Sequence, residues 1–124
     1  MKHILIVDDA ATVRMYYRDT LEGAGYDVDE AVNGMEALER AVARTYDLYL
    51  VDVNMPILDG YSFVREMRSR AELAQAPAVM ISTESQVQDA AKAYAAGANL
   101  YLFKPVATDT LLRYVGLLLG EPLR

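Results

Sequence analysis

The chain has no cysteine and no tryptophan, and it contains a single histidine, His3. The missing cysteines exclude disulfides and thiolate metal sites, and one histidine excludes a metal site built from several histidines. No apolar run approaches the roughly 18 residues that a membrane-spanning helix needs. The apolar run at residues 1–7 is too short for a signal peptide and lacks a cleavage site. We therefore expect a cytoplasmic protein.

Basic residues are also few: 12 lysines and arginines stand against 18 aspartates and glutamates, so the formal net charge is −6. Nucleic-acid binders usually carry a basic patch, because phosphate contacts supply much of their affinity. We expect neither a nucleic acid nor a membrane as a partner. A chain of 124 residues fits one domain. The expectation is a monomer in which residues 1–124 form that domain without an effector domain.

Short runs of branched apolar residues alternate with segments of helical apolar spacing. The runs predict five strands, at residues 3–7, 26–31, 48–51, 78–81 and 100–103. The helical stripes that follow them are Val13, Tyr17, Leu21 and Ala24; Met35, Leu38, Ala41 and Val42; Phe63, Val64 and Met67; Val87, Ala90, Ala91 and Tyr94; and Leu111, Leu112, Val115 and Leu119. Fivefold alternation predicts a doubly wound α/β domain, with a parallel five-stranded sheet and helices on both faces.

Turn signals separate these segments: Gly23–Gly25, Asn33-Gly34, Asp59-Gly60, Pro77, Gly97 and Lys104-Pro105. The tyrosines are expected to cover the boundary between helices and sheet with their hydroxyls in water. This expectation concerns Tyr16, Tyr17, Tyr49, Tyr94 and Tyr114.

Polar side chains follow four of the predicted strands. Asp8 and Asp9 follow the first strand, Asp52 the third, Ser82 the fourth and Lys104 the fifth. In a doubly wound sheet these strand ends meet in the crevice where ligands bind. Three crowded carboxylates repel one another, and a hard divalent cation such as Mg²⁺, which prefers oxygen ligands, resolves the conflict. The alternative for any one strand-end aspartate is a loop or helix cap, and Asp9 could cap the helix that begins near Ala10.

The ordered set of motifs resembles the receiver domain of bacterial response regulators, and most of all the single-domain chemotaxis, or CheY-like, type. The motifs are Ile-Val-Asp8-Asp9, Asp52-Val53-Asn54-Met55-Pro56 with Asp59-Gly60, Met80-Ile81-Ser82, Ala96-Gly97-Ala98 and Lys104-Pro105. The resemblance runs from Ile4 to the last helix and implies a flavodoxin-like (βα)₅ fold.

The resemblance implies that Asp52 accepts a phosphoryl group from a phosphohistidine of a histidine kinase or phosphotransfer protein. It further implies that Asp9, Asp52 and the main-chain carbonyl of Asn54 bind Mg²⁺, with Asp8 acting directly or through a water. Lys104 would contact the phosphoryl oxygens, after a peptide bond to Pro105 that is typically cis in the family. Such a protein is not a stand-alone enzyme, since it catalyses only its own phosphorylation and dephosphorylation.

The resemblance also assigns a switch. Ser82, rather than the neighbouring Thr83, would bond to the phosphoryl group, and Tyr101 would turn into the space that Ser82 vacates. Alternation along the strand places Leu100 and Leu102 toward the core, with Tyr101 and Phe103 on the other face. Two polar positions would orient a water for hydrolysis and shorten the lifetime of the acyl phosphate, Asn54 and Glu84.

The sequence thus predicts a response regulator that signals by phosphorylation-dependent partner binding in chemotaxis or motility, with a flagellar motor switch protein among the candidate partners. A phosphate sink and a phosphorylation-independent binding module are the alternatives within the family. Two rivals lie outside it. An aspartyl phosphatase of the D-x-D or D-x-N kind usually needs a cap domain, and a flavodoxin-like cofactor carrier needs a phosphate loop that Asp8 and Asp9 would repel.

Overall fold

The computed structural model of the protein describes residues 1–84 and 86–121. Strands and helices alternate throughout. The strands are β1 (His3–Val7), β2 (Asp27–Ala31), β3 (Leu48–Asp52), β4 (Ala78–Ser82) and β5 (Leu100–Phe103). The helices are α1 (Ala11–Gly23), α2 (Gly34–Ala43), α3 (Gly60–Ser69), α4 (Val87–Ala96) and α5 (Thr108–Leu118). In the described part of the chain, no helix has the length and apolar character that crossing a membrane requires.

The five strands form one parallel sheet in the order β2-β1-β3-β4-β5. The chain runs from β1 outward to β2, then returns to the other side of β1 with β3, so the strand order reverses between β1 and β3. A reversal of this kind opens a crevice at the carboxyl ends of the two strands. The predicted doubly wound (βα)₅ fold is confirmed.

Apolar side chains cover both faces of the sheet. Along β1, Leu5 and Val7 belong to one core cluster, whereas Ile4 and Ile6 belong to the other. All four are at most 1% exposed. Alternate residues of a strand point to opposite faces, so a strand that is apolar at every position is buried on both sides.

The predicted strand limits were close, and two of the three differences fall at the candidate site residues Asp52 and Ser82. β2 begins at Asp27, one residue later than expected, while β3 and β4 each run one residue further, to Asp52 and Ser82. Asp52 pairs with Ile81 and Ser82 pairs with Phe103 in the sheet register. Both polar residues are therefore the last members of rigid strands rather than the first members of loops.

The predicted apolar stripe of α2 was partly wrong. Met35 and Val42 are 45% and 63% exposed, whereas Ala37 lies fully buried beside Leu38 and Ala41. The helix turns its smaller residues to the sheet, which allows a close approach. The stripes expected on α3 and at Leu111 and Val115 of α5 are confirmed as buried.

The stripe expected on α4 was also wrong. Val87 is 85% exposed and Tyr94 is 48% exposed, and the buried residues of the helix are Ala93 and Ala96. Ala90 packs only partly against the core. The apolar face of α4 is thus narrow and built from methyl groups.

The pairs Asn33-Gly34 and Asp59-Gly60 separate segments as predicted, and each lies at the start of a helix. The side chain of Asn33 accepts a hydrogen bond from the Glu36 N–H at 2.9 Å, and that of Asp59 accepts one from the Ser62 N–H at 2.8 Å. Short polar side chains at this position satisfy main-chain N–H groups that lack a partner within the helix. A Cβ at Gly60 would collide with the main-chain oxygen of Asp52, so α3 can begin against the end of β3 only with glycine.

Candidate functional site

Three aspartates meet in the crevice between β1 and β3. One carboxylate oxygen from each of Asp8, Asp9 and Asp52 lies within 4.8 Å of the others. Asp8 is 2% exposed and Asp52 is 8% exposed, whereas Asp9 is open to solvent. The predicted acid cluster is therefore assembled, with two buried members and one at the mouth.

Lys104, which follows the edge strand β5, carries the opposite charge. Its Nζ lies 2.9 Å from Asp52 Oδ1 and 3.1 Å from Asp8 Oδ2. Its main-chain N–H donates to the Ser82 carbonyl at 2.8 Å, which fixes the residue against the end of β4. The Lys104-Pro105 peptide bond is cis, as the resemblance implied.

The charges in the crevice do not balance. Three carboxylates and one ammonium leave a formal charge of −2. Burial raises the pKa of Asp52; the Lys104 hydrogen bond lowers it, but the charges of Asp8 and Asp9 add to the rise. Burial lowers the pKa of Lys104, but the two acids more than offset this effect and raise it. A divalent cation would neutralise the residual charge, and the oxygen-only donor set suits Mg²⁺.

The aspartate that serves the start of α1 is Asp8. Its Oδ1 accepts from the Ala10 N–H at 2.9 Å, and its main-chain oxygen accepts from Arg14 Nη1 at 2.8 Å. Ala10, the residue that precedes the first turn, makes no side-chain cap. The cap considered for Asp9 is thus wrong, and its carboxylate lies in the acid cluster instead.

Ser82 and Tyr101 are connected through one residue. The Ser82 hydroxyl, fully buried, accepts from the Glu84 N–H at 3.0 Å, and the Tyr101 hydroxyl donates to the Glu84 carbonyl at 2.8 Å. Thr83, between them, is exposed. The ring of Tyr101 is 7% exposed and points inward.

The predicted alternation along β5 is confirmed, although both faces bury apolar surface. Leu100 and Leu102 pack against one core cluster, and Tyr101 belongs to the other. Phe103 is 52% exposed, with its ring centroid 5.6 Å from that of Tyr101. On this face of β5, therefore, Tyr101 is buried and Phe103 is half exposed.

Asn54 and Glu84 lie just beyond the carboxyl ends of β3 and β4. Asn54 follows the buried end of β3 by two residues and is exposed, and Glu84 follows Ser82 by two residues and is exposed. Both side chains are therefore accessible to water.

Tyr17 is buried close to the acid cluster, which the sequence did not indicate. Its ring is 4% exposed, and burial raises the pKa of its hydroxyl, with the charges of Asp8 and Asp52 adding to the rise. It lines an apolar cavity of about 230 Å³ between α1 and the segment after Lys104, together with Tyr16, Pro105 and Val106. The expectation of a hydroxyl in water was wrong here, and also for Tyr49, which is 1% exposed.

Gly60 and Arg14 support the site, and the sequence analysis did not assign this role to either residue. Gly60 admits the Asp52 carbonyl, and Arg14 ties the end of β1 to Glu30 on β2 through a bond of 2.8 Å. A glycine after a strand-end motif is a usable signal for close backbone approach. An arginine on a helix gives no comparable signal.

Comparisons with known proteins agree with this geometry. The family model of the response regulator receiver domain matches residues 4–116. The chemotaxis protein CheY1 of Helicobacter pylori is 36% identical over 119 residues, which cover 94% of this chain and 96% of that protein. The structure of chemotaxis protein CheY4 of Vibrio cholerae superposes with a TM-score of 0.89 at 35% identity, over 95% of this chain and 98% of that one.

Longer proteins contain the same unit. The sensor protein EvgS of Escherichia coli is 39% identical over 108 residues, but the chain spans only 9% of its length. The transcriptional regulator RpaA of Synechocystis is 34% identical, and the chain spans 49% of it. The family match over nearly the whole described domain and the near-complete overlap with CheY1 lead to one conclusion: the chain belongs to the response regulator receiver domain family and is CheY-like.

Proposed function

We propose that the chain is a response regulator that accepts a phosphoryl group on Asp52 from a phosphohistidine of a histidine kinase or phosphotransfer protein. The observation that carries the proposal is the Asp52 carboxylate itself, buried at the reversal of strand order, 2.9 Å from Lys104 and beside two further acids. In the described part of the chain, Asp52 does not cap a helix; it is Asp8 that accepts a hydrogen bond from the main chain at the start of α1.

The proposed transfer makes one bond and breaks one bond. A carboxylate oxygen of Asp52 attacks the phosphorus, the bond between phosphorus and the donor imidazole nitrogen breaks, and the imidazole keeps the electron pair. Phosphoryl transfer depends on in-line positioning and charge neutralisation more than on covalent help. Lys104 supplies one fixed positive charge next to the attacking oxygen.

Receiver domains bind Mg²⁺ at an acidic pocket, and the cluster of this chain offers such a pocket. In the proposal Asp9, Asp52 and the main-chain carbonyl of Asn54 hold the ion, and Asp8 contacts it directly or through a water. When bound, Mg²⁺ neutralises charge that develops on the transferred phosphoryl oxygens. The exposure of Asp9 gives the ion an open route to the cluster.

The proposed switch is the pair Ser82 and Tyr101. A phosphoryl group on Asp52 would draw the Ser82 hydroxyl toward it and away from the Glu84 N–H. The inward position of Tyr101 would then be the favoured one, held by the Glu84 carbonyl. The change is a population shift, and its size is limited by the difference in these bonds between the two states.

The output is partner binding, and chemotaxis or motility is the proposed pathway. The near-complete overlap with a chemotaxis protein supports it, and a flagellar motor switch protein is the corresponding partner. A phosphate sink or a phosphorylation-independent binding module is the alternative. A single domain over residues 1–124, a monomer, a cytoplasmic location and the absence of stand-alone enzyme activity stay predictions.

A short-lived acyl phosphate is part of the proposal, with Asn54 and Glu84 orienting the attacking water. We expect Asn54→Ala and Glu84→Ala each to lengthen the half-life by about tenfold, which is less than the roughly 10²–10⁴-fold of full general acid–base catalysis, because each side chain only helps to orient the water. The measurement is loss of phosphorylated protein over time by intact mass. An unchanged decay rate in both variants would contradict this assignment.

The proposal is tested by incubating the protein with Mg²⁺ and phosphoramidate and measuring its intact mass. Wild type is expected to gain one phosphoryl group, and Asp52→Asn none. Mg²⁺ chelation should prevent the gain. A wild type that gains no mass, or an Asp52→Asn variant that gains as much, would overturn the proposal.

A further inference from the structure

Helix α4 has little apolar packing to fix its position. Its two buried residues are Ala93 and Ala96, both in its C-terminal half. Val87, at its first turn, is 85% exposed. A buried methyl group contributes far less than a buried leucine side chain. Other contacts must therefore keep the N-terminal half of α4 in place.

Tyr61 on α3 makes two of these contacts. Its hydroxyl donates to the main-chain oxygen of Asp89 at 3.2 Å, and Lys92 Nζ lies 5.1 Å from the centroid of its ring. Asp89 and Lys92 are three residues apart and thus lie on one side of α4. The ring of Tyr61 is 9% exposed, so both contacts form at the edge of the core.

The same tyrosine lies next to the switch. Burial, together with smaller effects of the neighbouring Tyr101, Asp89 and Glu84, raises the pKa of Tyr61 to about 12. Tyr101 donates to the Glu84 carbonyl, three residues before α4 begins. Tyr61 thus contacts the first turn of α4, and Tyr101 contacts the segment just before it.

The C-terminal half of α4 is attached differently. The hydroxyl of Tyr94 accepts from the Tyr101 N–H on β5 at 3.2 Å, and Ala93 and Ala96 are buried. This attachment uses the main chain of Tyr101, which stays in place when its side chain rotates. The N-terminal half is therefore the part of α4 whose position depends on the side chain of Tyr61.

We propose that Tyr61 is a positioning residue for the switch: it holds the N-terminal half of α4 where the Glu84 carbonyl can accept the Tyr101 hydroxyl. The inference rests on the proposed function, in which inward Tyr101 accompanies phosphorylation of Asp52. Linkage is reciprocal, so a residue that stabilises inward Tyr101 also strengthens binding at the phosphorylation site. Tyr61 would do so without contacting the acid cluster.

The test is the affinity for beryllofluoride, a phosphoryl mimic, with Mg²⁺ by calorimetry. Tyr61→Phe keeps the ring and removes one hydroxyl, and it should weaken the affinity by about twofold to tenfold, the range for one hydrogen bond. Amide exchange at residues 87–92 should quicken, while that at residues 93–96 stays unchanged. Tyr46→Phe is the matched control, since its hydroxyl bonds to Asp29 on the other edge strand at 2.7 Å. It should leave the affinity unchanged.

Each outcome decides the inference. Equal affinities for Tyr61→Phe and wild type would overturn it, even if the variant unfolds at a lower temperature, because the hydroxyl would then only stabilise the fold. A loss of affinity as large in Tyr46→Phe would overturn it too. A wild type that binds no beryllofluoride would overturn the proposed function, and the inference with it.

Discussion

At the scale of single residues, the acid cluster is under electrostatic strain that the chain relieves only in part. Asp52 is 8% exposed, and Lys104 is the cation that contacts it at 2.9 Å. Asp8 also contacts Lys104, so one ammonium serves two buried carboxylates. The third acid, Asp9, adds negative charge, and in the described part of the chain no lysine or arginine forms an ion pair with it.

This imbalance predicts opposite effects of one substitution with and without metal. Asp9→Asn should raise the free energy of unfolding without Mg²⁺ by at most about 1 kcal/mol, because the exposed side chain limits the repulsion. It should abolish most of the stabilisation that added Mg²⁺ gives wild type. Urea unfolding with Mg²⁺ and with a chelator measures both effects. An Asp9→Asn variant that Mg²⁺ stabilises as much as wild type would contradict the metal assignment.

Glu30 predicts a pH dependence away from the site. Burial raises its pKa, but bonds from Arg18 at 2.6 Å and Arg14 at 2.8 Å outweigh this and lower it. A carboxyl whose pKa is lower in the folded state stabilises above its unfolded pKa of about 4.3, and loses this as the pH falls. Glu30→Gln should therefore cost up to about 1 kcal/mol at pH 7 and little at pH 3.

The measurement for Glu30→Gln is urea unfolding at both pH values, and the control is Glu39→Gln, an exposed position on α2. A difference from wild type that stays the same at pH 7 and pH 3 would contradict the prediction. So would an equal effect of the control.

Single residues differed in how well the sequence indicated them. Asp8, Asp52 and Lys104 follow strands directly, so their meeting could be predicted from strand direction alone. Tyr61 could not, because a tyrosine in the first turn of a helix has no pattern that distinguishes it from ordinary packing. Its contacts depend on where α4 lies relative to α3, which only the folded chain shows.

At the scale of elements, the errors in the predicted buried faces of α2 and α4 share a physical cause. Apolar spacing identified the helices, but on α2 and α4 it selected Met35, Val42 and Val87 as buried, and they are exposed. Alanine has too little hydrophobicity to dominate such a pattern, yet it allows a helix to approach a sheet closely. Asn33-Gly34 marked the boundary before α2, but the sequence did not specify that Asn33 caps the helix, since the same residue types favour turns and helix starts.

The start of α3 gives the sharpest prediction at this scale. Gly60→Ala should lower the free energy of unfolding by about 2 kcal/mol or more, because the new Cβ collides with the Asp52 carbonyl and neither backbone can yield easily. It should also slow phosphorylation, since α3 and the end of β3 must move apart. Thermal unfolding and intact-mass kinetics test the two effects.

Gly116 on α5 is the matched control, because a Cβ there meets nothing closer than Glu121 Cβ at 4.0 Å. Gly116→Ala should raise stability by up to about 1 kcal/mol through its helix propensity. Equal behaviour of the two variants would contradict the account of the β3–α3 junction.

At the scale of the whole molecule, the fold was predictable because two local patterns indicate it: short apolar runs for the strands and helical apolar spacing for the helices. Runs such as residues 3–7 and 48–51 are apolar at nearly every position, as a sheet covered on both faces requires. Right-handed connections restrict the possible strand orders, and the structure shows the order in which β1 lies beside β3. The signalling pathway was not predictable in this way, since the choice of partner depends on exposed side chains that packing does not constrain.

The central claim is that Asp52, and no other carboxylate, carries the phosphoryl group. Borohydride reduces an aspartyl phosphate to homoserine with release of phosphate, so peptide mass spectrometry after phosphoramidate and Mg²⁺ treatment locates the group. We expect homoserine at position 52 and none at positions 8 or 9. Homoserine at either of those positions, or at no position in a protein that retains its fold, would contradict the account.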